Sequence, residues 1–241
     1  LIGSVALALI LFDSGFNTKW ASYRIAAAPS LVLATVGVVL TAGIVGAAAR
    51  VFFGLGWPEA LLLGAILGST DAAAVFFLLR VGGITLRDRV RSTLEIESGA
   101  NDPVAIFLTL GLATAIGQDY SASGTDLALA FVMQIGLGGI LGFVGGHLLV
   151  LTLNSLRLET SLYPILSIAG ALVLFAATGV VGGSGFLAVY IAGLVAGNAR
   201  VRAAQSLKRF QDGLAWLAQI VRFVMLGLLA SPSEFTSVAH P

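Results

Sequence analysis

The stretch ESGANDPVAIF, Glu97 to Phe107, places two acids, an amide and a proline in a segment that is otherwise apolar enough to cross a membrane. Pro103 cannot donate a hydrogen bond to the carbonyl of Gly99, and it disfavours helical geometry at Asp102, so a kink is predicted there. A charged side chain at the centre of a membrane helix costs at least about 2.5–3.5 kcal/mol. If this segment crosses a bilayer, a functional role is therefore the default hypothesis for Asp102.

The composition indicates an integral membrane protein. Of the 241 residues, 58% are hydrophobic and 10% are charged, and the mean hydropathy is +1.00, well above the range of soluble domains. A formal charge of +1 provides no basic field for nucleic acid. The lack of cysteine excludes disulfides, thiolate metal sites and cysteine nucleophiles, and two histidines are too few for a histidine metal site. No cofactor is expected.

Apolar runs of about 20 residues, the length that spans a bilayer, predict a polytopic all-α helix bundle. We therefore predict one transmembrane domain over residues 1–241, with no soluble domain. Leu1–Phe12 is too short to cross the hydrocarbon core, and we expect the chain to be truncated at both ends. The predicted spans are 29–52, 58–80, 93–117, 127–153, 161–181 and 206–230, with a shorter run at 184–198.

The basic residues predict the orientation, because they favour cytoplasmic loops. If the loop 13–28 is cytoplasmic and 184–198 is a genuine crossing, strict alternation leaves only Arg50 outside and Arg222 within a span. The loop GQDYSASGTD, 117–126, has no basic residue and is predicted to be extracytoplasmic. The basic residues placed inside are Lys19, Arg24, Arg80, Arg87, Arg89, Arg91, Arg157, Arg200, Arg202, Lys208 and Arg209.

Two aspartates lie near the bilayer midplane in this arrangement. Asp71 precedes Arg80 by nine residues and Asp102 follows Arg91 by eleven, which is about 14 and 16 Å from the cytoplasmic edge at a rise of about 1.5 Å per residue. The helices are consecutive and antiparallel, so we predict that the two carboxyl groups face each other. The residues 68–70, Gly-Ser-Thr, weaken the helix before Asp71 and predict a discontinuous helix at mid-membrane, a feature of secondary transporters.

The helical periodicity separates the polar residues of the opening stretch. Ser98 and Asp102 are four residues apart and share a face, whereas Glu97 points about 140° away from Asp102. Glu97 is therefore predicted to lie outside this cluster. Its predicted partner is Arg222, the cation near mid-depth in the span 206–230, in a structural ion pair.

Small residues spaced four apart allow helix backbones to approach closely in lipid. We favour tight packing within one bundle over a dedicated dimer face as the reason for this spacing. The sets are Gly138, Gly142 and Gly146, then Ala42 with Gly46, then Gly193 with Gly197.

Four segments resemble the bacterial monovalent cation:proton antiporters, specifically the NhaP-type branch, whose members include potassium/proton exchangers. The resemblance implies that Asp102 is the cation- and proton-binding carboxylate and that Asn101 is its structural amide partner. It implies that Thr70 and Asp71 come from an unwound crossing helix, that Ser98 is a further oxygen ligand, and that Glu97 pairs with an arginine late in the chain. It also implies an inverted-repeat fold of about a dozen or more helices, of which this chain lacks the first and the last. The segments are LILFDSGFNT, GSTDAAAVFFLL, ESGANDPVAIFLT and GFLAVYIAGLVAGN.

The predicted protein is a secondary transporter, not an enzyme, that exchanges K⁺ or Na⁺ for H⁺ because the two ions compete for Asp102. Asn101 beside Asp102 favours one H⁺ per cation, and no metal is expected beyond the transported alkali ion. We expect a multi-pass protein of the cell (inner) membrane that is a homodimer at full length. The sequence leaves K⁺ against Na⁺ open.

Two other classes remain as alternatives. One is a channel-like or structural membrane subunit. The other is an intramembrane aspartyl protease, which needs two aspartates on neighbouring helices. The sequences GSTD and NDP stand here in place of the glycine-flanked aspartates that a protease would need.

Overall fold

The computed structural model describes residues 2–70, 72–117 and 124–229, and within these ranges every regular element is a helix. The predicted all-α fold is confirmed. The elements are α1 (Ile2–Asn17), α2 (Trp20–Val32), a π-helical segment (Leu33–Gly37), α3 (Val38–Phe53), α4 (Trp57–Leu67), α5 (Ala72–Val81), α6 (Asp88–Gly117), α7 (Gly124–Ser155), α8 (Leu162–Val180), α9 (Gly185–Asn198) and α10 (Ala204–Leu229).

Several helices present apolar side chains outward, as a bilayer requires. Phe52 is 80% exposed and Val180 is 87% exposed, which would be unfavourable in water but is ordinary in lipid. Four of the described helical stretches are long and apolar enough to cross a membrane, in agreement with four of the predicted spans. They are Ala26–Phe53, Val132–Ser155, Leu162–Val180 and Ala204–Leu229.

The predicted span 58–80 is broken into two helices. Regular helix ends at Leu67, and Gly68 to Thr70 are not helical before α5 begins at Ala72. Glycine and hydroxylated residues are poor helix formers, since glycine loses the most backbone entropy and hydroxyl groups compete for backbone partners. The predicted discontinuity is confirmed over Gly68–Thr70, whereas Asp71 lies outside the described residues.

The helix α6 continues through Pro103 and carries the whole opening stretch of the sequence. Beside it, α2, the π segment and α3 form one continuous helical rod from Trp20 to Phe53. The hydroxyl of Ser30 donates to the carbonyls of Ala26, at 2.7 Å, and of Thr93 on α6, at 3.0 Å. This side chain joins the rod to α6.

The helices form two groups with separate cores. We call α1, α7, α8, α9 and α10 the glycine-seamed bundle, and α2 to α6 with the π segment the site bundle. The core of the first contains Phe12, Leu149 and Tyr190, and a smaller core in the second joins Val38 to Val104. The two groups meet mainly where α6 passes α9 and α1.

Glycines of the first group lie where neighbouring backbones almost touch. A Cβ added at Gly142 would lie 2.7 Å from the carbonyl oxygen of Ala188, and one at Gly146 would lie 2.9 Å from the Cα of Ala192. From the first contact to the second, the residue number rises by four on both α7 and α9. The two helices therefore run parallel. Two helices separated by α8 must run parallel if each crosses the membrane, so the contact supports a crossing by the short helix α9. The small-residue spacing thus serves packing within the bundle.

Asn198, at the end of α9, fixes the link between the two groups. Its Nδ2 donates to the carbonyl of Thr18 at 2.8 Å, and its Oδ1 accepts from the backbone N–H of Trp20 at 2.7 Å. Thr18 directly follows α1 and Trp20 begins α2. The chain therefore passes from one bundle to the other at a point that α9 holds with two hydrogen bonds.

Candidate functional site

Polar side chains converge where the break between α4 and α5 passes α6. The hydroxyl of Ser69 donates to Oδ1 of Asp102. The hydroxyl of Ser98 donates to the backbone carbonyl of Thr70 at 3.0 Å. The break therefore presents one hydroxyl group and one freed carbonyl to the face of α6 that carries Ser98 and Asp102.

The side chain of Thr70 reaches a different face of α6. Its hydroxyl accepts a hydrogen bond from Nδ2 of Asn101 at 2.6 Å and lies 3.2 Å and 3.3 Å from the two carboxylate oxygens of Glu97. Nδ2 of Asn101 also donates to Oε1 of Glu97 at 2.9 Å. A hydroxyl has one hydrogen to donate, so Thr70 accepts from the amide and donates to the carboxylate.

Glu97 lies in a different place from the one that the sequence predicted. It was expected outside the cluster and paired with Arg222, but its carboxylate accepts hydrogen bonds from Thr70 and Asn101. In the described part of the chain, no ion pair joins Glu97 to Arg222. The reason lies in the packing, because α10 is placed against α1 and α8, and the guanidinium of Arg222 lies 5.9 Å from the ring centre of Phe223.

Burial differs sharply among these residues. Asn101 is fully buried, and within the described residues its Oδ1 has no hydrogen-bond partner. Glu97, Ser98 and Asp102 are partly buried, and Thr70 is exposed. The amide of Asn101 is therefore enclosed by protein, whereas the charged and hydroxylated groups keep part of their surface exposed.

The sequence-predicted site residues Thr70, Ser98, Asn101 and Asp102 are brought together. The predicted contact of Asp102 with Asp71 concerns a residue outside the described ranges. Sequence reasoning missed Ser69 as a contributor. Ser69 could have been recognised from the sequence, because it lies in the helix-weakening run directly before Thr70.

The oxygen atoms of the cluster suit a hard monovalent cation. Asp102 supplies a carboxylate, Ser69 and Ser98 supply hydroxyl oxygens, and the break supplies the carbonyl of Thr70. Alkali ions prefer such oxygen ligands to nitrogen or sulfur. Among the described residues on the face of α6 that carries Ser98, Asp102 supplies the carboxylate, whereas Glu97 is bonded to Thr70 and Asn101 on another face. The single negative charge of Asp102 matches a monovalent cation.

The whole chain, residues 1–241, matches the family model described as sodium/hydrogen exchanger, transmembrane. The K⁺/H⁺ antiporter NhaP of Alkalimonas amylolytica is 47% identical over 97% of this chain and 41% of its own length. The K⁺/H⁺ antiporter NhaP2 of a Shewanella species, strain MR-4, is 46% identical over 100% of this chain and 42% of its own length. The chain therefore spans less than half the length of these relatives.

A solved structure shares the fold. The sodium proton antiporter MjNhaP1 of Methanocaldococcus jannaschii superposes with a TM-score of 0.76 at 23% identity, over 93% of this chain and 56% of that one. The likeness extends over both helix groups, so the broken helix and α6 belong to a fold that a solved antiporter also has.

Proposed function

Since this chain belongs to the sodium/hydrogen exchanger family, we propose that it forms the ion-binding part of an antiporter that exchanges one K⁺ for one H⁺ at Asp102. The observation that carries the proposal is the meeting of the α4–α5 break with α6, which brings Ser69 to the carboxylate of Asp102. A broken helix that places polar groups and free carbonyls inside a membrane domain is the usual construction of a secondary transporter site.

Competition at a single carboxylate couples the two ions. A proton on Asp102 removes the charge that attracts the cation, and a bound cation disfavours protonation, so the group holds one ion at a time. An empty carboxylate is costly to move through the membrane interior. If the protein changes its accessible side only when Asp102 is neutralised, each outward proton is matched by an inward cation or the reverse.

The neutral oxygens complete the coordination of the cation. The hydroxyl of Ser69 contacts Asp102, and Ser98, one helical turn before Asp102, bonds the carbonyl of Thr70. These oxygens replace part of the hydration shell when the ion enters. Asp71 is proposed as a second acid near this position, on the basis of the sequence. Two acids of different roles are compatible with an exchange of one proton for one cation, provided that only Asp102 titrates during the cycle.

Glu97 and Asn101 hold the break in place. The hydrogen bonds from Thr70 and Asn101 to the carboxylate of Glu97 fix the non-helical backbone against α6. Bonds to a charged acceptor are about twice as strong as those between neutral groups. Glu97 therefore stabilises the shape of the site without contacting the transported ion.

The choice of K⁺ over Na⁺ follows the two relatives at 46% and 47% identity, whose names give K⁺ as the ion. We further propose that the full-length protein is located in the inner membrane and is a homodimer. Orientation in the membrane follows the basic loops of the sequence, with the segment between α5 and α6 on the cytoplasmic side.

The test is cation-induced proton release in everted membrane vesicles that contain the full-length protein, followed by dequenching of a pH-sensitive dye. K⁺, Na⁺ and Li⁺ are titrated across pH in wild type, in Asp102→Asn and in the control Asp88→Asn. Asp88 is an exposed acid in the first turn of the same helix.

We expect K⁺-dependent exchange in wild type and in Asp88→Asn, and none in Asp102→Asn at equal expression, because an amide neither releases a proton nor offers a full charge. Exchange at the wild-type rate in Asp102→Asn across the pH range would remove Asp102 as the carrier. Cation flux without proton movement in wild type would favour the channel-like alternative.

A further inference from the structure

A close contact between the two bundles lies beside the proposed ion site. Tyr190 of α9 is 2% exposed, and its ring lies against Gly99 of α6. A Cβ added at Gly99 would lie 2.6 Å from Cε2, 2.9 Å from Cζ and 3.1 Å from the hydroxyl oxygen of Tyr190. Carbon atoms do not approach this closely without strain, so only glycine fits here while the ring keeps its position.

The ring has little freedom to retreat. Tyr190 belongs to the core cluster of the glycine-seamed bundle together with Phe12 and Val189. Its backbone carbonyl is in such close contact with Gly15 of α1 that a Cβ there would overlap it. The residue is therefore fixed between α1 on one side and α6 on the other.

Gly99 is placed within the segment that forms the site. It directly follows Ser98 and precedes Asn101 by two residues. The hydrogen bonds from Ser69 to Asp102 and from Ser98 to Thr70 lie inside the site bundle. A shift of α6 past Tyr190 can therefore carry the site with it and leave these bonds intact.

We propose that Tyr190 is a positioning residue for ion exchange: its ring sets how closely the site segment of α6 approaches the glycine-seamed bundle, and the missing Cβ of Gly99 lets α6 move past the ring. The inference rests on the proposed function, since exchange requires the site to face each side of the membrane in turn. In secondary transporters such a change is largely a movement of one group of helices against another. A methyl group at Gly99 would obstruct that movement while the ion ligands stay as they are.

The experiment measures maximal exchange rate and apparent KM for K⁺ in vesicles that contain the full-length protein. The variants are Gly99→Ala, Tyr190→Leu and the double variant. Gly111→Ala is the matched control, because Gly111 lies on the same helix and a Cβ there meets nothing within 4 Å.

We expect the maximal rate of Gly99→Ala to fall about tenfold, which corresponds to about 1.4 kcal/mol in the barrier, with the apparent KM within about twofold of wild type. The double variant should recover at least about one third of the wild-type rate, since the smaller leucine leaves room for the methyl group. If Gly99→Ala does not accumulate, the double variant must still accumulate and exchange with a wild-type KM.

Three results would overturn the inference: a wild-type rate in Gly99→Ala, a raised KM at an unchanged rate, or no recovery in the double variant. Each of these results counts only if the wild-type protein exchanges K⁺ for H⁺ and the Asp102→Asn variant does not. If the proposed function is wrong, the wild-type protein will not exchange K⁺ for H⁺, or Asp102→Asn will still do so. The two failures are therefore distinguishable.

Discussion

Helices α7 and α9 of the glycine-seamed bundle meet through backbone atoms, whereas in the site bundle α6 meets the break between α4 and α5 through polar side chains. In the first group, Gly142 lies against Ala188 with no room for a methyl group. In the second, Thr70 joins Asn101 and Glu97 through its hydroxyl. The backbone contact is disrupted when a side chain is enlarged, whereas the hydrogen bonds are lost when a polar group is removed. The two regions should therefore respond to opposite kinds of substitution.

The largest effect is expected for Gly197→Leu in the glycine-seamed bundle. A Cβ at Gly197 overlaps the carbonyl of Phe16 on α1, and neither backbone can yield without separating α1 from α9. Overpacking costs about 1–3 kcal/mol even where side chains can adjust, so we expect about tenfold less folded protein. The measurement is fluorescence-detected size-exclusion chromatography of detergent extracts.

The control for this substitution is Gly136→Leu on α7, where a Cβ would meet nothing within 4 Å. It should give the wild-type yield, because a leucine at an exposed position of a membrane helix contacts lipid. Equal yields of the two leucine variants would show that close backbone packing does not hold this bundle together.

An intermediate effect is expected for Thr70→Ala in the site bundle. Loss of the hydroxyl leaves Asn101 and Glu97 without a shared partner, and such a loss costs about 1–3 kcal/mol. We expect a normal folded yield and an apparent KM for K⁺ raised about tenfold in the vesicle assay. Thr70→Ser keeps the hydroxyl and should remain close to wild type. A fall in folded yield with an unchanged KM would break the contrast between the two bundles.

The smallest effect is expected for Ser98→Ala. The substitution removes one hydrogen bond to the carbonyl of Thr70 and one neutral oxygen near the proposed ion site, and a single neutral bond contributes about 0.5–1.5 kcal/mol. We expect the apparent KM for K⁺ to rise about threefold at an unchanged maximal rate. Ser92→Ala, at a partly buried position of the same helix, is the control. A larger effect than that of Thr70→Ala would make Ser98 the main neutral ligand.

The broken helix could be predicted because its cause is local. Gly68, Ser69 and Thr70 each disfavour helix for reasons that depend on the residue alone. The crossing by α9 stays a prediction from Arg157, which precedes α8, and Arg200, which follows α9. The parallel packing of α7 and α9 supports it.

The partners of Glu97 could not be predicted in this way. Periodicity gives the face of α6 on which Glu97 lies, but not the angle at which another segment crosses that face. Because the break passes across α6, Ser69 reaches Asp102 while Thr70 reaches Glu97, although these two acids point in different directions. The contact of Tyr190 with Gly99 was missed for the same reason, since it depends on how two separate bundles meet.

The π segment sets the direction in which α3 faces α6. A π turn holds one residue more than an α turn, and each residue of an α-helix advances the chain by about 100°. A regular α-helix over the same number of residues would therefore rotate α3 by about 100° relative to α2 and turn Val38 away from Val104. The direction in which α3 faces α6 depends on the π turn, and its conversion to α-helix without the loss of a residue would alter the site bundle from a distance.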